Sequence, residues 1–90
     1  MYMEKTKKHF VYILETEHNK LYCGYTDNVE KRFKAHLNGT GAKFTRANKP
    51  LRIAYTKEFE TKSEALKEEC RIKKLPKPEK LKLIQNQEQE

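Results

Sequence analysis

Two short runs, HFVYILET (His9 to Thr16) and LYCGYT (Leu21 to Thr26), are joined by the polar stretch EHNK, and this pairing constrains the chain more than any other feature. Both runs are rich in β-branched and aromatic residues, as strands are. Two such runs separated by a few polar residues read as an antiparallel hairpin. Alternation sets Tyr12 and Leu14 on one face of the first strand and Val11 and Ile13 on the other. Gly24 interrupts the second strand between Tyr22 and Tyr25, and a glycine there marks a point of close approach. The reading is that a helix or a ligand comes near at Gly24, with Tyr22 facing a cleft and Tyr25 packing behind it.

The rest of the chain has to cover that hairpin. Asp27 or Asn28 caps a helix that carries Glu30 in its first turn, and Val29, Phe33 and Leu37 recur at i, i+4 and i+8. Asn38-Gly39 ends it. GTGAKFTRANKP (Gly39 to Pro50) has no period and reads as a loop. LRIAYTKEF (Leu51 to Phe59) alternates Leu51, Ile53 and Tyr55 against polar neighbours, which predicts a third strand with one buried face. Thr61 and Glu64 form a capping box for a helix through EALKEECRIKKL. Pro76 stops that helix, and Pro78 starts a last short one through Ile84. The expected order is β-β-α-β-α-α, an α+β domain whose small three-stranded antiparallel or mixed sheet is flanked by helices. It spans residues 9–84, between a flexible basic tail over 1–8 and a disordered polar tail over 85–90.

Composition narrows the function. Ninety residues suffice for one small domain, and with 36% hydrophobic against 37% charged residues its core is modest. No apolar run is long enough to cross a bilayer, and none follows the basic start as in a signal peptide, so a cytoplasmic protein without membrane partners is expected. Cys23 and Cys70 are isolated, and with His9, His18 and His36 they give no zinc spacing. The formal charge of +7 favours a polyanion partner somewhat over plain solubility, which it also serves.

Polar residues near the apolar stripes carry the rest of the reading. Arg32 and His36 lie on adjacent turns at one edge of the Val29/Phe33/Leu37 stripe, either packed there as boundary residues or aimed at a ligand. In the later helix, Ala65, Leu66 and Ile72 define the apolar face. Glu69 falls near its middle, while Glu68 points toward solvent or the edge. A carboxylate aimed at a sheet is costly unless paired or metal-bound. Glu69 is therefore either an ion-pair partner of Lys62 or Lys73, or a ligand at the rim of a cleft. Tyr12, Tyr22, Arg32, His36 and Glu69 include no cysteine or serine nucleophile for acyl transfer. The loop lacks the Gly-Lys-Ser/Thr ending of a nucleotide-phosphate cradle. The set does suit a phosphodiester: a carboxylate for Mg²⁺, an arginine for phosphate oxygens, and a tyrosine or histidine for water.

FVY (Phe10 to Tyr12) and, nine residues on, YCG (Tyr22 to Gly24) resemble the paired motif of the GIY-YIG nucleases. The likeness extends to Arg32, ten residues after Tyr22, to His36 one turn later, and to ALKEE, whose pattern selects Glu69. It covers roughly Phe10 to Leu75. GAKFT and IKKL look like the small stand-alone bacterial members, related to the nuclease domain of the excision-repair endonuclease UvrC. The resemblance implies a phosphodiester hydrolase acting on DNA, possibly structured or damaged DNA, with one divalent metal, Mg²⁺ or Mn²⁺, on Glu69. It implies that Arg32 holds the phosphate, that Tyr12 positions or deprotonates water, and that Tyr22 and His36 complete the site. Phe10 and Cys23 replace the motif's glycine and isoleucine at strand positions. Some relatives use an asparagine after the glutamate helix, a role not carried over to Asn86. Larger relatives have a separate DNA-binding domain. Here affinity would rest on Lys31, Lys34, Lys43, Arg46 and Lys49, or on a protein partner supplying specificity. The alternative is a binding module without turnover, served by Lys73, Lys74, Lys77, Lys80 and Lys82.

Overall fold

The computed structural model describes residues 8–88; the rest of the expected N-terminal tail, with Gln89 and Glu90, lies outside them. Strand β1 (His9–Thr16) is the middle of a three-stranded antiparallel sheet ordered β2-β1-β3, with β2 at Lys20–Thr26 and β3 at Pro50–Phe59. Val11, Tyr12, Ile13 and Leu14 are each at most 1% exposed, because helices cover both faces of the sheet. Each fully buried apolar side chain of that size contributes about 1.5–3 kcal/mol of transfer free energy, so the sheet is anchored along β1. The hairpin turn is a single 3₁₀ turn, Glu17–Asn19, in which His18 (φ 66°) and Asn19 (φ 57°) take left-handed conformations. Glu17 is tied to Lys49 twice: its N–H donates to the Lys49 carbonyl and its carboxylate accepts from the Lys49 N–H.

Helix α1 (Val29–Leu37) is capped by Asn28, whose side chain accepts from the Lys31 N–H, and it ends at Gly39 (φ 81°). A five-residue helix, α2 (Lys43–Ala47), then forms within the segment expected to be a loop. Helix α3 (Lys62–Lys73) starts at the Thr61 cap, which accepts from the Glu64 N–H at 3.1 Å. Helix α4 spans Lys77–Glu88. Val11 and Ile13 pack with Cys23, Ala54, Tyr55, Ala65, Ile72 and Ile84 into one core, beneath α3 and α4. Tyr12 and Leu14 face the other way, toward α1, as alternation requires. The α+β order of the sequence reading is observed, with α2 added between α1 and β3.

Several positions differ from the sequence reading. In β3, Leu51 is 61% exposed while Ala54 and Tyr55 are both buried. A bulge opposite Ile13 and Leu14 inserts Ala54 between partnered residues and breaks the simple alternation. In α1 it is His36, 1% exposed, that is buried, and Leu37 is 44% exposed. In α3, Leu66 is exposed; the buried line is Ala65 and Ile72, with Glu68 and Glu69 sheltered on its two sides. Residues 85–88 are helical rather than a disordered tail. The Gln87 amide explains it: Oε1 accepts from the Thr56 N–H at 3.2 Å and Nε2 donates to the Thr56 carbonyl at 2.7 Å, and Glu88 pairs with Arg52. A side chain thus serves as a partial strand partner on the open edge of β3.

Candidate active site

Tyr12 lies across Gly24, its direct partner on β2. A Cβ at Gly24 would stand 2.5 Å from the Tyr12 hydroxyl oxygen and 2.7 Å from Cζ, so that position admits only glycine while Tyr12 keeps its place. The close approach at Gly24 is made by the tyrosine of the neighbouring strand. Tyr12 Oη lies 2.8 Å from His36 Nε2, and His36 Nδ1 lies 2.8 Å from Thr45 Oγ1 on α2. Thr45 Oγ1 donates its own proton to the Ala42 carbonyl at 3.1 Å. The hydroxyl can then only accept from the imidazole, which puts the ring proton on Nδ1 and leaves Nε2 to accept from Tyr12. The hydrogen bonds run one way, from Tyr12 to His36 to Thr45 to Ala42.

The imidazole is held from every side. Tyr12 and Tyr22 meet it edge-on with ring centroids at 5.9 and 5.1 Å, and a Cβ at Gly41 would collide with it, 2.7 Å from Cγ. Tyr22 stacks on Phe44 of α2 at 5.8 Å. Burial, and then the Arg32 charge, lower the His36 pKa below its ordinary value, so the ring is neutral at neutral pH. Burial pushes the Tyr12 hydroxyl up to about 12, and the nearby Arg32 guanidinium pulls in the opposite direction. Arg32 itself is exposed, beside an open cleft of about 570 Å³ lined also by His9, Tyr25, Thr26, Asp27 and Lys62. Tyr25 packs partly against the core and also borders this cleft, its hydroxyl 2.7 Å from His9 Nδ1.

The structure therefore brings Tyr12, Tyr22, Arg32 and His36 together on the α1 side. Glu69 approaches from α3, over the opposite face and toward edge strand β2. Its carboxylate pairs with Lys73 at 3.1 Å, and after burial it is the next largest influence holding the Cys23 thiol up at about 11. Lys73 in turn feels the Tyr22 hydroxyl, so this ion pair runs along the β2 edge that also carries Tyr22. Of the two directions open to Glu68 in the sequence, solvent or the edge of the helix face, the structure shows the edge. Its side chain is 16% exposed against 18% for Glu69, but it is taken up by a bidentate pair with Arg71 on the β3 side, near Tyr55. Direction, rather than burial, separates the two glutamates.

Among the described residues no group of three or more His, Cys, Asp or Glu is placed to hold a metal ion, and both cysteines are free. A lone half-buried carboxylate nonetheless suits Mg²⁺ or Mn²⁺, hard cations that keep several waters and complete their shell with substrate phosphate. Lys31, Lys34, Lys43, Arg46 and Lys49 are all exposed. The sequence reading missed Thr45, Phe44 and Gly41, all within GAKFT or next to it. The available signals were a glycine and a threonine four residues apart in a segment without period, and the likeness of GAKFT to the small bacterial members. No helix of the described residues is long and apolar enough to cross a membrane.

This sheet, with a tyrosine pair, an arginine and a histidine at one end of its hairpin, defines the class to which the chain belongs: it is a member of the GIY-YIG nuclease family, whose "GIY-YIG catalytic domain" matches residues 8–82. Its relatives include small single-domain proteins. The UPF0213 protein OB0043 of Oceanobacillus iheyensis is 54% identical over 84 residues, which cover 93% of this chain and 98% of that protein. The UPF0213 protein CPE1444 of Clostridium perfringens is 51% identical, over 83% of this chain and 81% of its own. Two solution NMR structures are similar. The protein EF2693 from E. faecalis has a TM-score of 0.64 at 39% identity, covering 98% of this chain and 94% of that one. The UPF0213 protein BH0048 from Bacillus halodurans has a TM-score of 0.56 at 41% identity, covering 87% and 83%.

Proposed function

We propose that this chain hydrolyses phosphodiester bonds in DNA, using one divalent metal, Mg²⁺ or Mn²⁺, bound through Glu69. The observation that supports this best is the one-way hydrogen-bond chain from Tyr12 to Ala42, with the Arg32 guanidinium at its mouth. Tyr12 orients the attacking water and takes its proton at Oη as its own hydroxyl proton passes to His36 Nε2. Thr45 holds the imidazole in the tautomer that can receive it. Arg32 binds the non-bridging phosphate oxygens and balances the charge that grows on them. A cation on Glu69, when bound, supplies Lewis-acid stabilisation of the phosphate and the leaving oxygen. Only one carboxylate oxygen of Glu69, Oε2, meets Lys73, so the other would be open to a cation. Lys31, Lys34, Lys43, Arg46 and Lys49 hold the DNA backbone.

The test is a panel of labelled single-stranded, duplex, flap and junction DNAs with Mg²⁺ or Mn²⁺, cut by the parent protein, Glu69→Gln and Glu68→Gln. Cleavage by the parent and by Glu68→Gln, abolished in Glu69→Gln and by chelator, supports the reading. Equal cleavage by Glu69→Gln, or none by the parent on any substrate, removes it; salt-sensitive binding without cleavage would then make the chain a nucleic-acid-binding module.

A further inference from the structure

Beside the site, on the far side of Tyr22 from Arg32, runs a second groove of about 500 Å³. Phe44, Leu21, Lys20, Lys77, Lys80 and His18 line it, and among the described residues no Asp or Glu does. Among the described residues, Phe44 is the only phenyl ring of that lining. It belongs to a one-turn helix, stacks one way on Tyr22 with the rings 25° apart, and is still 36% exposed.

An aromatic platform bordered by cations, with no carboxylate to repel phosphate, is what single-stranded nucleic acid recognition uses: the ring takes a base and the lysines follow the backbone. The groove's size lies within the roughly 300–1,000 Å³ of ligand sites, ample for one nucleotide and too small for a duplex. Its charge complements a polyanion and opposes a basic peptide. It also joins the site directly, because Phe44 touches Tyr22. Lys80, Lys73 and Glu69 all act electrostatically on the buried Cys23 thiol of β2.

We propose that this groove seats an unpaired nucleotide of the DNA strand being cut, its base stacked on Phe44 and its flanking phosphates held by Lys20, Lys77 and Lys80. The inference rests on the reading of the neighbouring site as a nuclease centre, and it adds the substrate class: DNA that is single-stranded, or whose base can leave the stack, next to the cut.

The experiment is binding without cleavage. A short single-stranded DNA carrying 2-aminopurine, and the duplex made from it, are titrated with full-length protein in chelator, with anisotropy and base fluorescence read together. The parent should bind the single strand more tightly than the duplex and quench the 2-aminopurine. Phe44→Leu should lose the quenching and weaken single-strand binding roughly five-fold or more, while Phe44→Tyr retains both. Lys77→Ala with Lys80→Ala should reduce the slope of log affinity against log salt by about 0.7 per lysine on the single strand. Quenching and affinity unchanged in Phe44→Leu, or a parent preference for duplex, overturns the proposal. Should Phe44→Leu not fold, an unchanged salt slope in the lysine double variant overturns it alone. Quenching intact in a protein that cuts nothing removes the nuclease reading and keeps the groove. Glu69-dependent cutting without quenching does the reverse.

Discussion

Thr45→Val isolates the tautomer argument. Valine preserves the branched shape and removes only the hydroxyl. The Ala42 carbonyl keeps a donor, the Arg46 N–H at 3.2 Å, so the loss falls on His36 Nδ1–H, left in a pocket where the ring is 1% exposed. An unsatisfied buried donor costs about 1–3 kcal/mol. For a domain of this size each kcal/mol lowers the melting temperature by roughly 4–8 °C, so the variant should melt about 4–24 °C below the parent. The ring also has a second way out. With no acceptor at Nδ1, the proton can move to Nε2, which then donates to Tyr12 and can no longer receive its proton. Cleavage under single turnover should therefore fall on the order of 10²-fold, the scale of a lost general-base contribution. Thr45→Ser, which restores the hydroxyl, should recover both. Thermal melting, single-turnover cleavage and the ¹⁵N shifts of the His36 ring are the readouts. Parent-like melting, parent-like cleavage and an unchanged Nδ1–H tautomer in Thr45→Val would refute the relay.

Two further outcomes follow from the same geometry. Gly24→Ala puts a methyl 2.5 Å from the Tyr12 hydroxyl oxygen, which must move; it should cost about 1–3 kcal/mol in chemical denaturation and lower cleavage, although alanine suits a strand better than glycine. For pH, the folded His36 pKa is lowered, so the unfolded chain binds a proton first as pH falls. Its contribution to stability is fully present above about 6.5 and is lost progressively as pH drops below that toward the folded value. Melting followed from pH 7 downward should show this loss in the parent and a shallower one in His36→Gln.

The hairpin, the third strand and the two long helices were legible because each spans enough residues to show its period or its cap. Asn28, Thr61 and Gly39 did locally what their chemistry suggests. Helix α2 was not legible, since five residues complete little more than one turn and cannot display a 3.6-residue period. The same gap hid Thr45 and Phe44. His36 was placed at the edge of its stripe because periodicity weighs apolar residues, whereas a histidine with both nitrogens bonded is at home in the interior. The end of α4 reads as polar tail in sequence because its anchor is an amide side chain against the Thr56 backbone, not a hydrophobic one. Of the site, the tyrosines, Arg32 and His36 were found as residues, while their connection depended on a threonine and two glycines that only the fold brings near.

The most direct measurement is single-turnover cleavage by Tyr12→Phe, which removes one oxygen and keeps the ring over Gly24. The rate should fall on the order of 10²–10⁴-fold with the fold intact, because both the contact to water and the proton path to His36 Nε2 end at that atom. A Tyr12→Phe protein that cuts within about two-fold of the parent rate, less than half a kcal/mol of barrier, would contradict the relay.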